Sequence, residues 1–220
     1  MIVVLPLTVY FHTMTKRYEM VGIGGVLYPT AQDAASHTYM KQDGSLPSTP
    51  LIFPDNPFND QIKNDKHILD LGCGIGRNLS WIMENTSADY TGLEPNASMR
   101  QFYWDIQDEK YKSRTNIVSH YNQIPDNVKF DVVVCTFVFQ HIGRMTADDQ
   151  MNVIDITNEV VKYCNPGCVW IMYEHDWEDM WIEEWAAECN VNFAVYKRDY
   201  AGIPELVDRR PHHLMIWQND

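Results

Sequence analysis

The chain is short of the features that define several large classes of protein. It holds only 17 Lys and Arg against 30 Asp and Glu in 220 residues, a formal charge of -13. A surface this acidic repels phosphate backbones at long range, so nucleic acid is not expected as a partner. A neutral or cationic ligand suits the field. The five cysteines, Cys73, Cys135, Cys164, Cys168 and Cys189, include no Cys-x-x-Cys pair. Their odd number and spacing support neither a zinc site nor a disulfide framework, and a reduced, cytoplasmic compartment is the simplest expectation. No metal site is expected. Long apolar runs are also missing. Met1 to Phe11 is about half the ~20 residues that span a bilayer, and it lacks a basic flank. It reads as a strand or packed arm, and no membrane partner is expected. No internal repeat or low-complexity block is present.

What remains is a chain that is 45% hydrophobic, enough for one well-buried domain and short for two. The first 65 residues have weak periodicity. Gly22, Gly24 and Gly25 mark a turn, and Pro47, Pro50, Pro54 and Pro57 suit an extended path. Residues 1–65 are therefore read as an N-terminal arm or lid, and residues 66–220 as the folded domain.

From His67 strands alternate with helices. Ile68 to Leu71 is a short apolar run ending in glycines, after which Leu79, Ile82 and Met83 recur at helical spacing. Tyr90 to Leu93 is a second strand. Asn96 is placed to cap a helix carrying Met99, Phe102 and Tyr103. Asn116 to Ser119 is a weak third strand, and Phe130 to Thr136 is a fourth, apolar enough to be buried on both faces of a parallel sheet. Val153, Ile156, Val160 and Cys164 line one helical stripe, with Thr146 and Asp149 as a capping box before it. Asn165-Pro166-Gly167 stops that helix, and Cys168 to Tyr173 is a fifth strand. Trp177 to Glu188 reads as helix, its Trp177, Trp181 and Trp185 as core packing. Val191 to Tyr196 and His213 to Trp217 read as a final extended pair. The order predicts an α/β fold, with helices on both faces of a mostly parallel, doubly wound sheet of seven strands. Its C-terminal strand pair is expected to run antiparallel.

The chemistry concentrates in Asp70-Leu71-Gly72-Cys73-Gly74-Ile75-Gly76-Arg77. Glycines let the backbone turn sharply and approach a ligand, and the next helix offers free N–H groups and a positive dipole end. A dinucleotide fingerprint needs Gly-x-Gly-x-x-Gly, and Arg77 stands at its last position. Asp70 before the turn would repel a pyrophosphate yet accept hydrogen bonds from a cationic amino acid, though it could also simply cap the turn. Glu94 ends the second strand, where a carboxylate can accept both hydroxyls of a ribose. Adenosine joined to a charged amino acid satisfies both.

Here the chain resembles the class I S-adenosylmethionine-dependent methyltransferases. Ile68 to Ile82 looks like that family's first motif, and Glu94 sits at its ribose-binding acid. Phe130 to Ile142, ending in Gln140-His141-Ile142, is similar to its fourth motif. Asn165-Pro166-Gly167-Cys168 matches its turn into the fifth strand. The resemblance implies S-adenosyl-L-methionine as cofactor. It places Asp70, Gly72, Cys73, Gly74 and Gly76 around the methionine part, Glu94 on the ribose, Pro95 near the adenine, and Thr136 and Phe137 along the methionine side. Many members carry an Asp after the third strand that bonds the adenine amino group. This chain has Ser119-His120-Tyr121-Asn122-Gln123 instead, and the amide oxygen of Asn122 is the nearest substitute.

Catalytic candidates are fewer. His141 suits either a base near the methyl group or a packing role at the start of its loop. Glu174 and His175, after the fifth strand, lie at the end of the sheet where open α/β folds bind ligands, and each could take a proton. The fourth motif lacks the Asn/Asp-Pro-Pro-Tyr/Phe run of amino-methylating DNA enzymes, and no Pro-Cys pair marks a cytosine-C5 type. An N or O nucleophile of a small molecule or peptide is the expected acceptor. A non-catalytic methyltransferase-like subunit and a nucleotide-dependent oxidoreductase remain as alternatives.

Overall fold

The computed structural model describes residues 66–76, 78–136, 138–139 and 153–175, with shorter pieces at 21–23, 26–28, 185, 187–189, 193–197 and 212–218. An antiparallel hairpin, β1 (Val21–Ile23) and β2 (Val26–Tyr28), comes first. The main sheet then builds from β3 (His67–Leu71), β4 (Asp89–Leu93), β5 (Thr115–Val118), β6 (Phe130–Thr136) and β7 (Cys164–His175). These five run parallel in the order β5-β4-β3-β6-β7. Two more strands, β8 (Phe193–Lys197) and β9 (His212–Gln218), extend the β7 edge in antiparallel pairing. The chain steps outward from β3 to β5 and returns to place β6 on the other side of β3. That reversal opens a crevice at the carboxyl ends of β3 and β6.

Burial alternates along the strands and sorts the core into two layers. Ile68, Val132, Val134, Val169 and Ile171 point to one face, where α1 (Leu79–Asn85) adds Leu79, Ile82 and Met83 and α2 (Ala97–Ile106) adds Tyr103. Leu69, Leu71, Val133, Cys135, Trp170 and Met172 point to the other, covered by Val160 of α4 (Val153–Val161) and by Trp185. Trp185 donates from Nε1 to Thr157 Oγ1 at 3.1 Å, which satisfies its one polar atom inside the core. A strand that meets helices on both sides has no solvent face, hence the continuous apolar run of β6.

Several expected boundaries move. A one-turn helix, α3 (Glu109–Lys112), is added, with Asp108 accepting from Lys110 N–H at 3.0 Å as its cap. Gly22 lies within β1 and not in a turn. The largest shift concerns Asn165-Pro166-Gly167. The helix before it already ends at Val161, and these residues belong to β7. Phe130 pairs Cys164 while Val132 pairs Val169, so two steps on β6 face five on β7 and three residues bulge out. Gly167 takes φ +78° there. Cys164 opens the strand instead of closing the helical stripe, though its Sγ still donates to the Val160 carbonyl at 3.5 Å. The capping box at Thr146 and Asp149, the arm at 1–11, the prolines at 47–57 and most of 177–188 lie outside the described residues.

Asp131 holds this bulge in place. One carboxylate oxygen accepts from Asn165 Nδ2 at 2.9 Å and the other from His67 N–H at 3.0 Å. It thus joins β3, β6 and β7 at the amino ends of the strands, away from the crevice. Asp131→Ala is expected to destabilise the fold by about 2 kcal/mol, because it strands two donors that a carboxylate serves. A urea titration would show a lower midpoint with unchanged slope, and cofactor affinity in the remaining folded protein would be preserved.

Candidate functional site

The loop after β3 folds back on the end of β4. Gly72 and Cys73 both donate their N–H to the Leu93 carbonyl, at 2.8 and 3.1 Å. Gly72, Gly74 and Gly76 have φ of +69°, +55° and +81°, a region that other L-residues enter only at a cost. Their surroundings differ. A Cβ at Gly72 would stand 2.5 Å from the Val138 side chain, and one at Gly76 would stand 2.2 Å from the Tyr103 ring. At Gly74 it would meet only Met99 Cε, at 3.7 Å. Protein packing therefore excludes a side chain at the outer two glycines. Among the described residues the middle one leaves room for a Cβ, in ordinary contact with the Met99 side chain.

Glu94 latches this loop. Its Oε2 accepts the Gly74 N–H at 3.1 Å and its Oε1 accepts the Asn96 N–H at 2.8 Å. Burial pushes its carboxyl above the usual range, partly offset by those two donors and by the charge of Arg100. Arg100 Nη1 in turn donates to the Glu94 and Pro95 carbonyls, both at 2.7 Å. Asn96 Oδ1 accepts the Met99 N–H at 3.1 Å, the expected cap of α2. Each Glu94 oxygen accepts a single backbone bond and keeps a second lone pair for another donor.

Asp70 lies deeper. Only 1% of it is exposed. Tyr90 donates its hydroxyl to Asp70 Oδ2 at 2.6 Å, and Asn78 Nδ2 lies 3.3 and 3.4 Å from the two oxygens. Asn78 Nδ2 also reaches Thr136 Oγ1 at 3.1 Å, linking the ends of β3 and β6. Burial raises the Asp70 carboxyl to about 7; Tyr90 and Asn78 oppose that rise and the nearby Glu94 adds to it. Among the described residues no cation pairs with it.

The remaining candidates fall as follows. Thr136 ends β6 beside Asp70 and is 9% exposed. Cys73 is buried, its thiol pushed well above the ordinary range by burial and the adjacent carboxyls, so it lines the loop as a neutral group. Pro95 is exposed, next to Glu94. Asn122 is also exposed, in a single turn of 3-10 helix after β5, where its N–H donates to His120 Nδ1 at 3.2 Å. Glu174 and His175 are the last two residues of β7 and not part of the loop after it, because they pair with His213 and His212 of β9. They follow Tyr173, the partner of Thr136, so their backbone shares the crevice end of the sheet. Phe137 and His141 lie outside the described residues.

Sequence reasoning passed over Asn78, Tyr90 and Gly92. Asn78 stands where a helix cap is usual yet makes no cap bond; it is turned to Asp70 and Thr136 instead. Gly92 is paired with Asp70 across β3 and β4, and a Cβ there would sit 2.6 Å from Cys73 Sγ. A polar residue immediately after the glycine turn was the available signal for Asn78. Tyr90 carried none.

Residues 69–169 match the model of a methyltransferase domain family. No curated protein matches the chain. Among solved structures, an S-adenosylmethionine-dependent methyltransferase from Aquifex aeolicus is similar, with a TM-score of 0.55 at 11% identity, over 76% of this chain and 95% of that one. The [4+2]-cyclase SpnF is similar at a TM-score of 0.56 and 12% identity, over 74% and 79%. Haemonchus contortus phosphoethanolamine N-methyltransferase 2, in complex with S-adenosyl-L-methionine, is similar at 0.53 and 12%, over 73% and 52%. At such identities the likeness concerns the fold, and the fold serves more than one reaction.

Proposed function

We propose that this chain, whose residues 69–169 match the model of a methyltransferase domain family, is a class I S-adenosylmethionine-dependent methyltransferase that transfers a methyl group to an N or O nucleophile of a small molecule or peptide. The observation that carries the reading is the Glu94 latch on the glycine loop. It brings a carboxylate with spare lone pairs against the one glycine of the loop where, among the described residues, a Cβ would meet no clash. Two features fit S-adenosyl-L-methionine in particular. Asp70 is a buried carboxyl without a cation of its own among the described residues, which suits the charged amino acid end. Gly74 leaves a cradle that a Cβ would fill.

On this reading Asp70, Gly72, Cys73, Gly74 and Gly76 surround the methionine part, with Thr136 and Phe137 beside them. Glu94 takes the ribose, while Pro95 and Asn122 border the base. When bound, the cofactor supplies an already activated methyl group. The protein's share is then to align the acceptor, exclude water and receive the acceptor's proton. His141, Glu174 and His175 are the candidate bases. On the same reading residues 66–220 are the catalytic domain, on a doubly wound, seven-stranded frame with a C-terminal antiparallel pair, and residues 1–65 are an N-terminal arm or lid and not an independent domain. The acidic surface favours an amine-bearing acceptor over nucleic acid. No helix among the described residues is long and apolar enough to cross a membrane.

Calorimetry with S-adenosylhomocysteine and with NAD tests the reading. Binding of the first and not the second is expected, and the reverse overturns it. Glu94→Ala should weaken S-adenosylhomocysteine about 100-fold, the equivalent of two charge-assisted hydrogen bonds at about 1.4 kcal/mol each. Unchanged affinity would show that the ribose lies elsewhere.

A further inference from the structure

Among the described residues, the Asp70 carboxyl is bonded only by neutral groups. Tyr90 of β4 and Asn78 before α1 donate to it. Cys73 of the loop and Tyr103 of α2 are the other titratable groups close enough to interact, and Glu94 adds a second negative charge. On the β6 side its cross-strand partner is Val134. Among the described residues, a carboxylate set among thiol, phenol and amide, beside another carboxylate, has two neutral donors but no cation to balance an ionised state. Its two donors nevertheless come from separate elements and converge on one group. Asn78 extends the chain to Thr136 at the crevice. The arrangement is built around Asp70, and through Asn78 it reaches Thr136 at the end of β6.

We infer that Tyr90 and Asn78 are positioning residues that hold Asp70 as a charge-reading group. Asp70 carries a proton while the site lacks a cation and gives that proton to solvent when the ammonium group of the cofactor's amino acid end arrives. The inference rests on the proposed cofactor, and goes beyond it in coupling binding to proton release. Between the nucleoside with its amino acid end and the same nucleoside without it, only the first triggers the release. The pocket thereby distinguishes the intact cofactor skeleton from its neutral fragment by charge as well as by shape. Affinity for the ammonium-bearing ligand must then rise with pH until Asp70 is ionised in the free protein, by at most tenfold per unit.

Calorimetric titrations of the full chain at pH 6.5, in two buffers of different ionisation enthalpy, test this. S-adenosylhomocysteine, a zwitterion whose amino acid end carries an ammonium group, is the first probe, and 5'-methylthioadenosine, which has no ammonium group, is the second. The expected result is release of most of one proton with the first, almost none with the second, and almost none with either at pH 8.5. Asp70→Asn should abolish the release. Tyr90→Phe, which removes one oxygen from a folded core, should keep the release but move its midpoint to higher pH, as should Asn78→Ala. Equal release with both probes, no release, or release that survives in Asp70→Asn would overturn the inference. An unmoved midpoint in both Tyr90→Phe and Asn78→Ala would overturn the positioning role. If neither probe binds at any pH, the proposed cofactor itself is wrong, which is a separate outcome.

Discussion

Gly76→Ala is expected to destabilise the protein by about 4 kcal/mol. Two costs combine. The residue sits at φ +81°, where a non-glycine pays about 1–2 kcal/mol. Its Cβ would also lie 2.2 Å from Cε2 and 2.5 Å from Cδ2 of Tyr103. That ring is fully buried and packs edge-on to Trp104 with centroids 5.7 Å apart, so it cannot swing away. Overpacking of this kind costs roughly 1–3 kcal/mol. For a chain of this size the melting temperature should fall by about 10 °C.

Gly74→Ala makes the contrast. It carries similar backbone strain but finds only Met99 Cε at 3.7 Å, so the melting temperature should fall by only a few degrees. Its new methyl group would fill the cradle proposed for the cofactor, and S-adenosylhomocysteine affinity should drop at least tenfold. Full affinity in Gly74→Ala would mean that no ligand occupies that cradle. The pair of variants separates what the glycines do for the fold from what they do for a ligand, a distinction their regular spacing in the sequence conceals.

That spacing was nonetheless the most legible part of the chain. The centre of β6 follows directly from the run Val132 to Cys135, because a strand covered on both faces is apolar along its buried middle. Asn96 declared its cap for a similar reason: the bond is local and needs no knowledge of the fold. The contacts of Asp70 were not legible. Tyr90 is 20 residues away and reaches Asp70 only through the β3–β4 register, which pairs Ile68 with Tyr90 and Asp70 with Gly92. Asn78 obeys the cap rule in type but not in contact, since a buried acid competes for its amide. The β7 bulge was hidden likewise. A Pro-Gly pair reads as a helix stop, and only the pairing of Val132 with Val169 reveals that the strand has begun.

Asp70→Asn is expected to stabilise the unliganded protein at pH 8 while weakening cofactor binding. The sign follows from the raised carboxyl. Asp70 titrates at about 7 when folded, against an ordinary value of 3.8, so between those values the folded chain holds a proton that the unfolded chain has lost. Stability from this group is therefore complete below pH 3.8 and declines as pH rises to about 7. The difference corresponds to about 4 kcal/mol at pH 8. Asparagine removes that penalty. Its amide oxygen can still accept from Tyr90, but its NH2 meets the Asn78 amide as donor against donor, at a cost of about 1 kcal/mol. A net gain of about 3 kcal/mol at pH 8 should shrink and reverse by pH 4. Urea denaturation of wild type and variant at the two pH values measures it, and parallel pH profiles would show that Asp70 is ionised at no cost. A stabilised variant that binds cofactor poorly would locate a buried charge that the fold tolerates because the ligand needs it.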